Sequence, residues 1–167
     1  LQELQGLPKT YTGTLRLGAT TPSYDAETEP DQQFPTDHIT ADLLSAAAAE
    51  LTGAIEQIPP MFSAIKVDGQ PLYKRARKGE SIEIEARPVT INRFDLTRMA
   101  LPEVDFLVDC SKGTYIRSLA YDLGKKVNSG AYLTALCRTK VGAYRLEDAW
   151  QVEDLFAHIT NIQSNHP

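Results

Sequence analysis

Within ten positions, Cys110-Ser111-Lys112-Gly113-Thr114-Tyr115-Ile116-Arg117-Ser118-Leu119 gathers an ammonium, a glycine, an aromatic ring and a guanidinium. An alternating apolar run, Val104 to Val108, leads into it, and a helical pattern from Ile116 to Val127 leaves it. At the start of a helix, Arg117 can grip a carboxylate or phosphate bidentately. Lys112 and the backbone around Gly113 precede the helix, where amides point outward and favour anions. A planar ring beside cations suits an anionic ligand that carries a flat base, such as RNA or a nucleotide.

Two further clusters share this character. Gln57-Ile58-Pro59-Pro60-Met61-Phe62-Ser63-Ala64-Ile65-Lys66 joins a stiff extended wall to an apolar slot, with Lys66 and, further on, Arg77 placed to meet phosphates. Lys9-Thr10-Tyr11 opens an alternating run, and a tyrosine there can stack on a base. Each cluster has a plain alternative: a structural arginine ion pair, a rigid loop over a core, an edge tyrosine. Metal and phosphate-loop chemistry find no support. His38, His158 and His166 are far apart and none pairs with a cysteine at ligand spacing. There is no P-loop pattern and no nucleophile elbow.

Charge is distributed unevenly around these clusters. The net charge of the 167 residues is −5, a weak argument against a polyanionic partner. No Lys or Arg occurs from Thr20 to Pro60, where Asp25, Glu27, Glu29, Asp31, Asp37, Asp42, Glu50 and Glu56 lie. From Ser111 to Arg145 the balance reverses, with Lys112, Arg117, Lys125, Lys126, Arg138, Lys140 and Arg145 against Asp122. Local field outweighs the total in steering a polyanion. Two cysteines, Cys110 and Cys137, fit a reducing compartment better than a disulfide scaffold, and the expectation is a cytoplasmic protein. No apolar run approaches the roughly 20 residues of a membrane-spanning helix.

The elements that must position these residues read as follows. Leu1, Leu4 and Leu7 suggest a helix end before Pro8, and Tyr11 to Leu17 a half-buried strand. Thr20 to Pro35 is a long loop. Thr40 caps a helix through Leu51 that Gly53 closes. Phe62 to Val67 is a short strand, and Asp68-Gly69 a turn. Leu72 to Lys78 is a short helix. Ser81 to Arg98 is two strands or one bent strand, broken at Pro88. Val104 to Cys110 is a strand, Tyr115 to Val127 a helix, Ala131 to Leu136 a second short helix, Lys140 to Leu146 a strand, and Glu153 to Ile159 a last helix. The sum is an α+β fold with a mixed, largely antiparallel sheet and flanking helices, one domain over residues 1–160 and a polar tail over 161–167.

Taken in order, the motifs resemble the TruB family, tRNA pseudouridine synthases that act on the T loop. The matching pieces are Lys9-Thr10-Tyr11, Leu17-Gly18 with Thr20 and Asp25-Ala26, then Gln57 to Ala64 with Lys66, Gly69, Leu72-Tyr73, Ala76-Arg77 and Gly79. Arg87-Pro88-Val89, Cys110 to Leu119, Asp122-Leu123-Gly124, Gly130-Ala131, Leu136, Arg138 and Gly142 complete them. The resemblance implies a cofactor-independent isomerase that flips uridine-55 of tRNA from the T loop and converts it to pseudouridine. It implies that Tyr11 stacks on the target base and assists proton removal, and that Arg117 pairs with a catalytic aspartate. It further implies that Tyr115 and Leu136 line the uracil pocket, while Lys66, Arg77 and Lys112 contact the RNA backbone. The family's nucleophile lies in a Gly-Thr-Leu-Asp-Pro motif ahead of the Lys-x-Tyr strand, and Gly13-Thr14-Leu15-Arg16 is not that motif. The expectations are therefore that an N-terminal portion with the nucleophile is missing, that this chain alone is inactive, and that Arg117 faces the pocket as a free cation. The competing readings are a non-catalytic structure-specific RNA-binding or tRNA-folding module, and a plain α+β domain with an acidic small ligand.

Overall fold

The computed structural model describes residues 6–63, 66–67, 69–79, 82–142 and 144–145, the last pair by backbone alone. Along the chain run β1 (Lys9–Leu17), β2 (Ala19–Thr20), β3 (Gln32–Gln33), α1 (Ala41–Glu50), β4 (Gly53–Gln57), β5 (Lys66–Val67), β6 (Gln70–Pro71), α2 (Leu72–Arg77), β7 (Arg87–Ala100), β8 (Glu103–Cys110), α3 (Ile116–Lys126), β9 (Ala131–Val141) and β10 (Tyr144–Arg145). Six strands form one sheet in the order β10-β9-β1-β8-β7-β4. Every pairing in it is antiparallel, so the sheet is more uniform than the mixed one expected. The parallel contact among the described residues is an isolated bridge between Asp25 and Leu133.

Period-two alternation explains why one face of this sheet is covered. In β8, Val104, Phe106, Val108 and Cys110 are buried while the residues between them are half-exposed. Tyr11, Leu15 and Leu17 of β1 fall on the same face by register, Tyr11 opposite Val108 and Leu15 opposite Val104. Helices α1 and α3 pack over that face, α1 against β7 and α3 against β9. Leu44, Ala47 and Ala48 supply the contact stripe of α1. Ile116, Leu119, Ala120 and Leu123 do the same in α3. Fully buried leucines such as Leu44, Leu119 and Leu123 each contribute about 1.5–3 kcal/mol. Thr40 caps α1 as its sequence predicts, its side chain accepting from the Leu43 amide at 3.1 Å. The cap at the other end is Leu51, and Gly53, at φ +102°, instead starts β4.

The long acidic loop is tied down. Leu133 donates its amide to the Tyr24 carbonyl at 2.9 Å, and the Tyr24 ring stacks on Tyr121 of α3 with centroids 4.0 Å apart and planes 6° from parallel. Thr20 donates to Asp31 at 2.7 Å and Thr21 to the Asp25 carbonyl at 2.6 Å.

Three expectations need correction. Ala131 to Leu136 is not a helix but the first half of strand β9, which pairs with β1 along most of its length. Pairing with a buried neighbour strand overrides the helical preference of its Ala and Leu residues. Of the two alternatives for Ser81 to Arg98, the single strand is the one found, but it starts at Arg87 and residues 82–86 are irregular. Of the strand expected over Phe62 to Val67, the described residues show Lys66–Val67 as strand and Phe62 in a bend. The expected helices at Leu1–Leu7 and Glu153–Ile159, and the tail from 161, lie wholly or mostly outside the described residues. Among the described residues no helix is long and apolar enough to cross a membrane.

Candidate active site

The strand pair β1–β9 builds one wall. Tyr11 lies opposite Arg138, and Gly13 opposite Leu136, so all four residues share the helix-covered face. The Arg138 guanidinium sits 5.5 Å from the centre of the Tyr11 ring, and its Nη2 donates to the Tyr11 hydroxyl at 3.2 Å. Burial raises the Tyr11 phenol above its ordinary pKa, and the Arg138 charge and hydrogen bond oppose that rise. The phenol therefore stays protonated near neutral pH. Tyr11 is 7 % exposed, so the ring is a covered surface with Arg138 over it rather than an open platform. Gly13 is required for the close approach here. A Cβ at this position would stand 2.6 Å from the Ala135 carbonyl oxygen and 2.7 Å from Phe106 Cζ. A groove of about 360 Å³ lies at this seam on the side of Thr12, Thr14, Asp105 and Cys137, the face turned away from Tyr11; of the residues expected at the site, Leu136 alone lines it.

The entry of α3 builds the second wall. Tyr115 is its N-cap residue, and Arg117 lies in the first turn. Arg117 is 7 % exposed. Its Nη1 donates to the Ser23 carbonyl at 3.2 Å and stands 3.8 Å from Asp25 Oδ2. Burial pulls the guanidinium below its ordinary pKa, and the charges of Asp25 and Glu27 pull it back up. The free cation expected here is thus a buried, paired arginine. Its partner arrives on the acidic loop, whose purpose the sequence left unassigned. Asp25 is itself fixed, accepting from Ser23 Oγ at 2.6 Å and from the Glu27 amide at 3.0 Å. The two walls meet in the core, where Tyr11, Ile116, Leu119 and Leu133 belong to one cluster.

The remaining expected residues stand further out. Lys112 is exposed on the turn before α3. That turn has Gly113 at φ +80° and is closed by Thr114 Oγ1 donating to the Ser111 carbonyl at 2.8 Å. Lys66 is exposed on β5, and Arg77 is exposed at the end of α2 with its guanidinium 5.2 Å from the Tyr73 ring. Tyr115 is half-buried. Its amide donates to Gln57 Oε1 at 2.8 Å and its carbonyl accepts from Gln57 Nε2 at 3.0 Å, so the arm carrying Lys66 and Arg77 is rooted beside it. Roles for Asp25, Gln57 and Arg138 were missed; their partners lie far away in sequence, and no local spacing announces them. Asp109 and Asp105 do not enter this site. They accept from Thr10 at 2.6 Å and Thr14 at 2.7 Å, on the opposite face of the sheet.

Comparison with known proteins now bears on this geometry. The family described as TruB family pseudouridylate synthase (N terminal domain) matches residues 1–116. A tRNA pseudouridine synthase B of Flavobacterium johnsoniae is 61 % identical over 149 residues, 89 % of this chain and 65 % of that protein. Another of that name, from Phocaeicola vulgatus, is 53 % identical over 153 residues, 92 % of this chain and 65 % of its own length. In three dimensions the crystal structure of a Cbf5-Nop10-Gar1 complex contains a chain with the same fold. It matches with a TM-score of 0.58 at 23 % identity, over 84 % of this chain and 33 % of that one. The chain belongs to the TruB family of pseudouridylate synthases. It spans 65 % of the length of each of these two curated relatives.

Proposed function

We propose that this chain forms the base-binding and RNA-binding walls of a tRNA pseudouridine synthase that isomerises uridine-55 in the T loop, without a cofactor, in the cytoplasm. The observation that carries the reading is the double wall itself. Tyr11 on β1 and Ile116 at the entry of α3 belong to one core cluster with Leu136 packed against it, Arg138 lies over Tyr11, and the buried Arg117–Asp25 pair follows directly after Ile116. A uracil extruded from the stem-loop stacks against Tyr11 once Arg138 yields the ring, with Leu136 and Tyr115 bounding its edges. Stacking of this kind contributes about 1–3 kcal/mol per base. Lys66, Arg77 and Lys112, all exposed, meet the phosphates. On the family resemblance the nucleophilic carboxylate belongs to a Gly-Thr-Leu-Asp-Pro motif that these 167 residues do not contain; Asp25, Asp105 and Asp109 each accept a hydrogen bond within this chain. The nucleophile attacks the target nucleotide and the N1–C1′ glycosidic bond breaks; the uracil turns, a C5–C1′ bond forms as the carboxylate is released, and the C5 proton is lost while N1 takes one up.

The test is conversion of a T-arm stem-loop carrying uridine tritiated at C5. The protein with the motif-bearing segment releases tritium over many turnovers, while the 167 residues alone bind the RNA and release none. Binding weakens steeply with salt through counterion release. Absence of conversion by the longer protein overturns the function. Turnover by the 167 residues alone overturns the placement of the nucleophile.

A further inference from the structure

Gln57 is 1 % exposed, yet it is polar and ends an edge strand. Its side-chain amide is used in both directions on one residue. Oε1 accepts from the Tyr115 amide at 2.8 Å, and Nε2 donates to the Tyr115 carbonyl at 3.0 Å. This is the pattern a neighbouring strand would offer, supplied by a side chain. It matters because Tyr115 is the N-cap of α3 and has no side-chain cap of its own. Its backbone, at φ −97° and ψ 109°, sets the direction in which the helix leaves and therefore where Arg117, two residues on, is aimed. A second tie lies one residue along, where Ser118 Oγ donates to the Ile58 carbonyl at 2.7 Å. Behind the turn, the Ser111 amide donates to the Thr90 carbonyl at 2.9 Å. The entry of α3 is thus gripped from β4 and β7, and Gln57 is the grip nearest Tyr115 and Arg117.

We propose that Gln57 is a positioning residue of the uracil site: by pairing both backbone groups of Tyr115 it fixes the Tyr115 ring and the Arg117 guanidinium in the geometry the reaction needs. The inference rests on the pseudouridine synthase reading for its catalytic consequence, but not for its structural one. Misplacing an arginine or a pocket wall by about 1 Å can cost on the order of 10²-fold in rate.

The carboxylic acid offers a test that a purely structural role would not pass. A protonated glutamate presents one acceptor and one donor, as the glutamine amide does; an ionised one presents acceptors only and faces the Tyr115 carbonyl without a donor. Burial raises a glutamate pKa from its usual value of about 4.3, which moves the switch toward neutral pH. In the complete protein, Gln57→Glu is expected to convert T-arm RNA at nearly the parental single-turnover rate at low pH. Its rate then falls about 10²-fold as that carboxyl ionises, with RNA affinity unchanged within about threefold. Gln57→Leu is slow at every pH. Hydrogen exchange of the Tyr115 amide is protected in the parent and exposed in Gln57→Leu, and it stays protected in Gln57→Glu, whose carboxyl keeps the acceptor in either state. Parental exchange protection in Gln57→Leu overturns the positioning claim whether or not the parent converts RNA. Parental rates at all pH in both variants overturn its catalytic consequence. A parent that binds but never converts RNA overturns the function proposed above, and the exchange measurement still decides the role of Gln57.

Discussion

Arg117 is costly to bury, and the chain meets that cost with the Ser23 carbonyl and the Asp25 carboxylate. A lysine cannot replace it, because a point charge lacks the flat fork that reaches a carbonyl and a carboxylate together. In the complete protein, Arg117→Ala and Arg117→Lys are both expected to lower single-turnover conversion by at least about 10²-fold. Near-normal rates in either variant would remove Arg117 from the mechanism. Tyr11, Tyr115, Arg117 and Leu136 are legible as candidates from residue type and from the order of the family motifs, neither of which needs coordinates. Their partners were hidden for a physical reason. Asp25 looked like one acid among many in an acidic loop, and only folding brings Ser23 across 94 positions to Arg117. Gln57 likewise gains its meaning from a contact spanning 58 positions.

At the scale of elements, β9 shows where periodicity misleads. Ala131 and Leu133 are buried in alternation, but the pairing with β1 shifts register between Thr14 and Leu15, and Ala135 and Leu136 fall out of phase. A broken alternation rich in Ala and Leu reads as helix, although the strand is specified by its neighbour. In β7 the break expected at Pro88 does not occur, since Pro88 pairs with Glu56 at the start of the strand, and the irregularities lie instead between Ile91 and Arg93 and between Leu96 and Arg98. Elements with local signals were read correctly: the Thr40 cap, the alternation of β1 and β8, and the apolar stripe of α3. The seam between β1 and β9 yields a prediction. Gly13→Ala drives a methyl group into the Ala135 carbonyl and the Phe106 ring, and should destabilise the protein by about 1–3 kcal/mol in urea denaturation. An unchanged midpoint would mean that the strands have room to separate there.

Across the whole molecule, acidic loop and basic helix are not opposed faces but one joint. Tyr24 stacks on Tyr121, Lys125 lies 5.5 Å from the centre of that second ring, and His38 Nε2 meets the Val127 carbonyl at 2.6 Å. Under this joint Asp122 is pushed up to a pKa of about 6 by burial, with Lys125 and Lys126 pulling the other way. A carboxyl whose folded pKa is raised holds its proton more tightly in the folded state. Its contribution to stability is present below about pH 4 and is lost as pH rises through about 6. Asp122→Asn should flatten that part of the stability profile and raise Tm at pH 7 by about 2–4 °C for each kcal/mol gained. Parallel melting curves for parent and variant from pH 4 to 7 would show that the carboxyl is solvated instead. The charge asymmetry was plain in the sequence; that the two halves would dock was not, because ring stacking over this span leaves no trace in composition.

The two cysteines differ in a way an experimenter can exploit. Cys110 is buried with its thiol pushed up to about 11, whereas Cys137 is exposed and sits on β9 between Leu136 and Arg138. A maleimide dye therefore attaches at a single place, beside Thr12 on the face of the sheet turned away from Tyr11 and Arg138, and leaves the helix-covered face unlabelled.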